Sequence, residues 1–152
     1  MTEFKRNSLT SALCYRDPKK ALDWLQKAFG FELAMVITDD KGEIGLSEMR
    51  FGECLVMIGN EWTGDHKSPA SIGGKNTQTV HVHLTDNIDK HCERARKAGA
   101  EILQEPQDQF YGDRTYRARD FEGHIWTFGQ TVRVVTPEEW DRASGLKTKM
   151  YS

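Results

Sequence analysis

Two stretches of this chain place apolar residues at helical spacing, and runs of alternating apolar and polar residues flank each. In the first, Ala21, Leu22, Leu25, Ala28 and Phe29 form one stripe, the pattern of a helix that buries one face. Asp17 stands where a side-chain oxygen caps the first turn, and Pro18 takes the first helical position, where a missing N–H is no loss. Gly30 then supplies the left-handed residue that ends a helix. In the second stretch Ile88, Cys92, Ala95 and Ala98 repeat the stripe, with Asp86 or Asn87 as cap and Gly99 as stop. Both stripes read as core rather than as binding faces.

After each helix the period falls from 3.6 to 2. Residues 31–38, 43–50 and 53–59 read as strands, joined by the turn Asp39-Asp40-Lys41-Gly42 and a hairpin about Phe51-Gly52. Residues 101–104, 114–119 and 124–129 read the same way, with Phe121-Glu122-Gly123 as the last turn. A spacing of 69 residues separates Asp17 from Asp86, Gly30 from Gly99 and Leu33 from Ile102. Repetition at a fixed offset marks a repeated structural unit.

Each half is therefore strand–helix–three strands, which predicts an α+β fold of two tandem βαβββ modules. Thr136-Pro137-Glu138-Glu139 opens a short C-terminal helix as a capping box. The expected boundaries are 8–59 for module one, 60–78 for a polar linker, 79–130 for module two and 131–152 for the tail and helix. All belong to a single domain spanning 1–152.

Bulk properties narrow the function classes. A chain of 152 residues with 38% hydrophobic and 29% charged positions can bury one core without staples. Mean hydropathy of −0.66 is polar, but 7 Phe, 4 Tyr and 4 Trp supply bulk. A net charge of −2 and a pI near 6.2 leave no electrostatic footprint for nucleic acid. The densest basic cluster, Arg114, Arg117 and Arg119, is hemmed in by Asp113 and Asp120. Cys14, Cys54 and Cys92 are odd in number and lack a CxxC, unlike a disulfide scaffold. Residues 1–10 show no apolar leader, and no apolar run reaches membrane-spanning length. The expectation is a cytoplasmic protein with a small-molecule partner, and neither nucleic acid nor membrane.

The local wording is more specific. Ala21-Leu22-Asp23-Trp24-Leu25 with Ala28-Phe29-Gly30-Phe31-Glu32, and Tyr111-Gly112-Asp113-Arg114 followed by Asp120-Phe121-Glu122-Gly123-His124-Ile125-Trp126, resemble the vicinal oxygen chelate superfamily. This is the group of glyoxalases, extradiol dioxygenases and bleomycin-resistance proteins, and the wording resembles its bleomycin-resistance-like branch. The resemblance runs from Leu9 to Gln130. Phe121 departs from it, standing where the family usually has Pro, a change expected to loosen the turn. The resemblance implies incurved mixed sheets whose concave faces form a cavity, helices on the convex faces, and a homodimer. The scaffold hosts isomerases, dioxygenases, thiol transferases and pure binders, so function must come from the cavity residues.

Metal-using members of the family place ligands on the inward faces of the first and last strands of each module. Carried over, those positions are Thr10, Met57, Val80 and Thr127, none a usual ligand for a catalytic divalent cation. In Val80-His81-Val82-His83-Leu84 the two histidines share one face. Counting back from Ile88 turns Val80 inward, whereas a single bulge turns His81 and His83 inward instead. Without carboxylate partners, hydrogen-bonded imidazoles outweigh a metal site even then. The expectation is no metal and no cofactor. His91 is expected on a helix flank, His124 in a turn and His66 in the linker.

The same parity turns Thr115, Arg117, Arg119 and Thr127 inward, and Tyr116, Ala118, Trp126 and Phe128 toward the helices. An inward Arg117 offers a planar fork for carboxylate, phosphate or phosphonate; solvated strand-end charge is the rival reading for it and for Arg119. Trp62, Phe110 and Tyr111 lie in loops, as a stacking surface or lid over the cavity or as linker packing. No nucleophile–base pair or phosphate loop is visible, and Gly73-Gly74-Lys75 lacks the context of a P-loop. The ligand-binding candidates are thus Trp62, His81, His83, Phe110, Tyr111, Thr115, Arg117 and Thr127. They favour metal-independent binding of a small organic ligand, planar or anionic. The alternatives are a metal-dependent glyoxalase-type lyase or isomerase, and a cofactor-free enzyme acting on a bound carbonyl compound.

Overall fold

The computed structural model describes residues 6–152. The first half runs β1 (Ala12–Tyr15), α1 (Pro18–Phe29), β2 (Glu32–Thr38), β3 (Ile44–Phe51) and β4 (Cys54–Asn60). The second runs β5 (Val80–Leu84), α2 (Ile88–Lys97), β6 (Glu101–Asp108), β7 (Asp113–Arg119) and β8 (Ile125–Thr131), and α3 (Pro137–Ser144) follows. The strands form two four-stranded mixed sheets, sheet A in the order β1-β4-β3-β2 and sheet B in the order β5-β8-β7-β6. In each sheet the first strand runs parallel to the last, and the other pairs are antiparallel. This is the α+β architecture of two βαβββ units with a short C-terminal helix.

Asp17 Oδ1 accepts from the Lys20 N–H at 3.1 Å, and Gly30 closes α1 at φ 80°. Thr136 Oγ1 accepts from the Glu139 N–H at 3.2 Å and caps α3. The second helix differs from expectation, because neither Asp86 nor Asn87 caps it with a side chain. Asn87 sits in the left-handed region at φ 53°, and Gln130 Oε1 of β8 accepts the Ile88 N–H at 2.9 Å instead. β6 also runs on to Asp108, past its expected end at residue 104. It lies at the sheet edge with an irregular register between Gln104 and Gln107, so Pro106 deprives no ladder of a donor.

Helix α1 packs on the inner face of sheet A and α2 on that of sheet B, the two helices pack on each other, and the two halves share one core. Leu13, Tyr15, Met49 and Ile58 of sheet A meet Tyr116, Ala118, Trp126 and Phe128 of sheet B around Leu25, Phe29, Cys92 and Ala95. The Phe29 ring lies 5.5 Å from Trp126 and 4.7 Å from Phe128. The outer face of each sheet points away from this core.

The turn from Asp120 to His124 ties the halves together. Its buried Asp120 carboxylate accepts the Tyr15 O–H at 2.6 Å, the Trp126 indole N–H at 3.0 Å and the backbone N–H groups of Glu122 and His124. Burial, with this carboxylate beside it, pushes the Tyr15 phenol well above its ordinary pKa. Glu122 accepts the N–H groups of Arg16 and Asp17, at 2.6 and 2.8 Å, just ahead of α1. The Phe121 ring packs on Tyr15 and Trp24, and Lys20 Nζ lies 4.8 Å from its centroid.

Candidate functional site on the outer face of sheet B

The pairing of β5 with β8 decides the facing of the two histidines. Its register is continuous, with Val80 opposite Trp126, His81 opposite Thr127 and His83 opposite Gly129. Trp126 is a core residue, so Val80 belongs to the helix-covered face, and the expectation that placed Val80 at a ligand position is corrected to His81. Counting back from Ile88 fails because the left-handed Asn87 breaks the regular geometry between strand and helix. The parity expected for β7 and β8 is observed: Tyr116, Ala118, Trp126 and Phe128 are buried toward the helices. This leaves Thr115, Arg117, Arg119 and Thr127 on the sheet's other face, the outer one, which the family resemblance turns inward to a cavity.

Two rows of polar side chains result. Across β5, β8, β7 and β6, the first row reads His81, Thr127, Arg117 and Gln104; the second reads His83, Gly129, Thr115 and Gln107. Arg117 is exposed, and its Nε donates to Thr127 Oγ1 at 3.3 Å, which aims the guanidinium along the sheet surface. Thr115 accepts from both Gln104 and Gln109, at 3.2 and 3.0 Å, so its oxygen is already committed. Thr131 Oγ1 donates to Asp113 at 2.9 Å, which leaves it to accept from His83 Nε2 at 3.1 Å. His81 is exposed beside Thr127.

The loop between β6 and β7 carries two partly exposed aromatic residues, Phe110 and Tyr111. Burial raises the Tyr111 phenol pKa, Asp113 adds to the effect and Arg117 opposes it. Phe110 packs edge-on against Tyr111, with ring centroids 5.2 Å apart. Trp62 stands apart: it is 68% exposed, and its ring stacks on His66 within the linker at 4.5 Å. Arg119 answers to Glu101 at 2.8 Å, a strand-end ion pair rather than a ligand fork. His91 lies on the flank of α2 and His124 in the turn, both hydrogen-bonded. A groove of about 1000 Å³ along β5 is lined by His81 and His83 together with Phe31, Phe51, Val82 and Arg50.

The donor set does not suit a divalent ion. In sheet A the outward residue opposite Met57 is Ala12, with Thr10 just ahead of the strand; in sheet B His81 faces Thr127. One imidazole, a thioether and hydroxyls lack the carboxylates such an ion needs. No three His, Cys, Asp or Glu side chains converge among the described residues.

A residue that the sequence reading passed over is Glu48, on the outer face of sheet A. It is 1% exposed, pairs with Arg6, and lies opposite Met35 and Met57 on the neighbouring strands. Its Oε2 has no hydrogen-bond partner among the described residues. The signal was present, since the repeat spacing of 69 residues that relates Gly30 to Gly99 also relates Glu48 to Arg117.

Residues 8–128 match the family model described as Glyoxalase/Bleomycin resistance protein/Dioxygenase superfamily. The chain belongs to this superfamily. It is 34% identical over 137 residues to an uncharacterised protein of Mycobacterium tuberculosis (Rv0887c), covering 87% of this chain and 79% of that one. Among solved structures it resembles TioX from Micromonospora sp. ML1, at 35% identity and a TM-score of 0.67 over 82% of this chain and 98% of that one. TnmS3, an antibiotic binding protein from Streptomyces sp. CB03234, shares the fold at 17% identity and a TM-score of 0.58, covering 86% of this chain and 98% of that one. Among the described residues no helix of this superfamily member is long and apolar enough to cross a membrane.

Proposed function

We propose that this chain binds a small organic ligand, with a planar group beside an anionic one, on the outer face of sheet B and without a divalent metal. One observation carries the reading: Thr127 Oγ1 accepts from Arg117 Nε at 3.3 Å and holds an exposed guanidinium on that face. The guanidinium suits a carboxylate or phosphate, and Tyr111 with Phe110 offers stacking surface. The fold it shares with TnmS3 is one that serves antibiotic binding in that protein. Three free cysteines suit a reducing cytoplasm. The open outer faces suit a homodimer in which a second copy closes the cavity.

Arg117→Ala should weaken a planar anionic probe such as 8-anilinonaphthalene-1-sulfonate by about 1.5–3 kcal/mol, the value of a charged hydrogen bond. Fluorescence titration measures this, and thermal unfolding should show little loss of fold. Unchanged affinity would remove Arg117 from the site.

The rival reading is a metal-dependent glyoxalase-type lyase or isomerase, and the outward facing of His81 and His83 is what favours it. Elemental analysis separates the two. Stoichiometric Ni, Zn, Mn or Fe in the untreated protein, with an activity lost on chelation, would establish the lyase and overturn the binder.

A further inference from the structure

A carboxylate on a solvent-side strand face is ordinarily hydrated, because removing its water without full pairing is unfavourable. Glu48 breaks that rule, at 1% exposure with one oxygen paired to Arg6 and Oε2 without a hydrogen-bond partner among the described residues. Nothing in the shared core requires it. Its neighbours Ser47 and Met49 face the core, so Glu48 points to the outer face of sheet A. Met35, Met57, Leu46 and Leu55 share that face across adjoining strands.

The surroundings are therefore a buried carboxylate among flexible thioethers and aliphatic side chains, with Arg50 two residues along β3 on the same face. Methionine side chains adapt to differing hydrophobic bodies. The cation that answers Glu48 comes from outside the sheet: Arg6 lies ahead of β1, its side chain is 55% exposed, and neighbouring Asn7 donates to the Leu55 carbonyl at 3.3 Å. A half-exposed arginine on an irregular segment is easier to displace than the strands beneath it.

We propose that Glu48 anchors a cation-recognition site on the outer face of sheet A, where Arg6 stands in for the ammonium or amidinium group of a hydrophobic ligand. The site is the counterpart of Arg117 by the internal repeat. Glu48 lies opposite Met57, and Arg117 opposite Thr127, on equivalent strands. One module thus presents an acid where the other presents a base. The proposal extends the reading of sheet B without depending on it, since Glu48 and Arg117 lie on different sheets.

The test uses the full chain with benzamidine and its uncharged analogue benzamide, followed by NMR chemical-shift titration. Benzamidine should bind and benzamide should not. Arg6→Ala should tighten benzamidine by removing the internal competitor, and Glu48→Gln should weaken it about tenfold or more. Arg117→Ala should leave benzamidine unchanged, which keeps this outcome separate from that of the anionic probe. Binding that survives Glu48→Gln, or that falls equally in Arg117→Ala, overturns the proposal, as does absence of binding in Arg6→Ala. If Glu48→Gln does not fold, the comparison of Arg6→Ala with the unmodified chain decides: tighter binding supports the site, and equal or weaker binding refutes it.

Discussion

The three cysteines differ in surroundings enough to differ in reactivity. Burial pushes the Cys92 thiol up to about 11, and burial together with Glu61 raises Cys14. Cys54 is exposed at the start of β4. The thiolate is the reactive form, so iodoacetamide at neutral pH should modify Cys54 first and Cys92 only after unfolding. Peptide mass spectrometry reads this directly; folded-state labelling of Cys92 as fast as that of Cys54 would contradict it. His91 makes a second residue-scale case. Its Nε2 donates to the Phe29 carbonyl at 2.9 Å, so Nδ1 accepts the Tyr116 O–H at 2.6 Å, and the ring is neutral. Burial lowers its pKa below 6.5, helped by Arg94 and opposed by the Phe29 bond. Below the unfolded value the unfolded chain takes the proton more readily, so the contribution to stability is complete above about pH 6.5 and declines as pH falls toward the folded pKa. Urea unfolding should weaken between pH 7 and 5.5, and His91→Gln should flatten that slope; an unaltered slope would clear His91 of the effect.

At the scale of elements, legibility followed regularity. The stripe of α1, its Asp17 cap and its Gly30 stop were plain because propensity, capping and burial agree there. The facing of β7 and β8 was plain because Tyr116, Ala118, Trp126 and Phe128 mark the core side. β5 was not, since its facing was counted through Asn87, whose left-handed backbone a short sequence window does not announce. Glu48 escaped notice because β3 inverts the usual alternation, with Ser47 facing inward and satisfied by the Ile58 carbonyl at 2.6 Å while Leu46 faces outward. Gly112, in the hairpin that carries Tyr111, is needed on two counts. It has φ 100°, and a Cβ there would lie 2.3 Å from the Arg133 carbonyl oxygen. The tail bonds back to it, with Val132 and Arg133 both donating to the Gly112 carbonyl. Gly112→Ala should therefore lose about 2–4 kcal/mol of stability in urea unfolding. A loss under about 1 kcal/mol, the size of a simple propensity change, would mean that the tail yields freely.

For the molecule as a whole, the fold was legible from the repeat, and the sharing of a core between halves was not, because a stripe shows that a helix face is buried without showing against what. Ile37 on the outer face of sheet A, and Phe110 and Tyr111 in the loop between β6 and β7, lie partly in solvent. With the family resemblance they lead to an expected homodimer, for which sedimentation equilibrium at micromolar concentration should give twice the chain mass; a monomer there would remove a partner from any account of the cavity.

The hold of Asp120 and Glu122 on Tyr15, Arg16 and Asp17 has a consequence during synthesis. A ribosome finishes the first βαβββ unit long before it reaches the residues that tether the start of α1. Until residues 120–128 have emerged, the Tyr15 hydroxyl lacks its Asp120 acceptor and Phe29 lacks the Trp126 and Phe128 rings that cover it. A chain stopped in the linker should therefore be a poor folder and a target for chaperones, although it holds a complete repeat. Two copies of one motif share a single core here, so each should lean on the other for a stable fold.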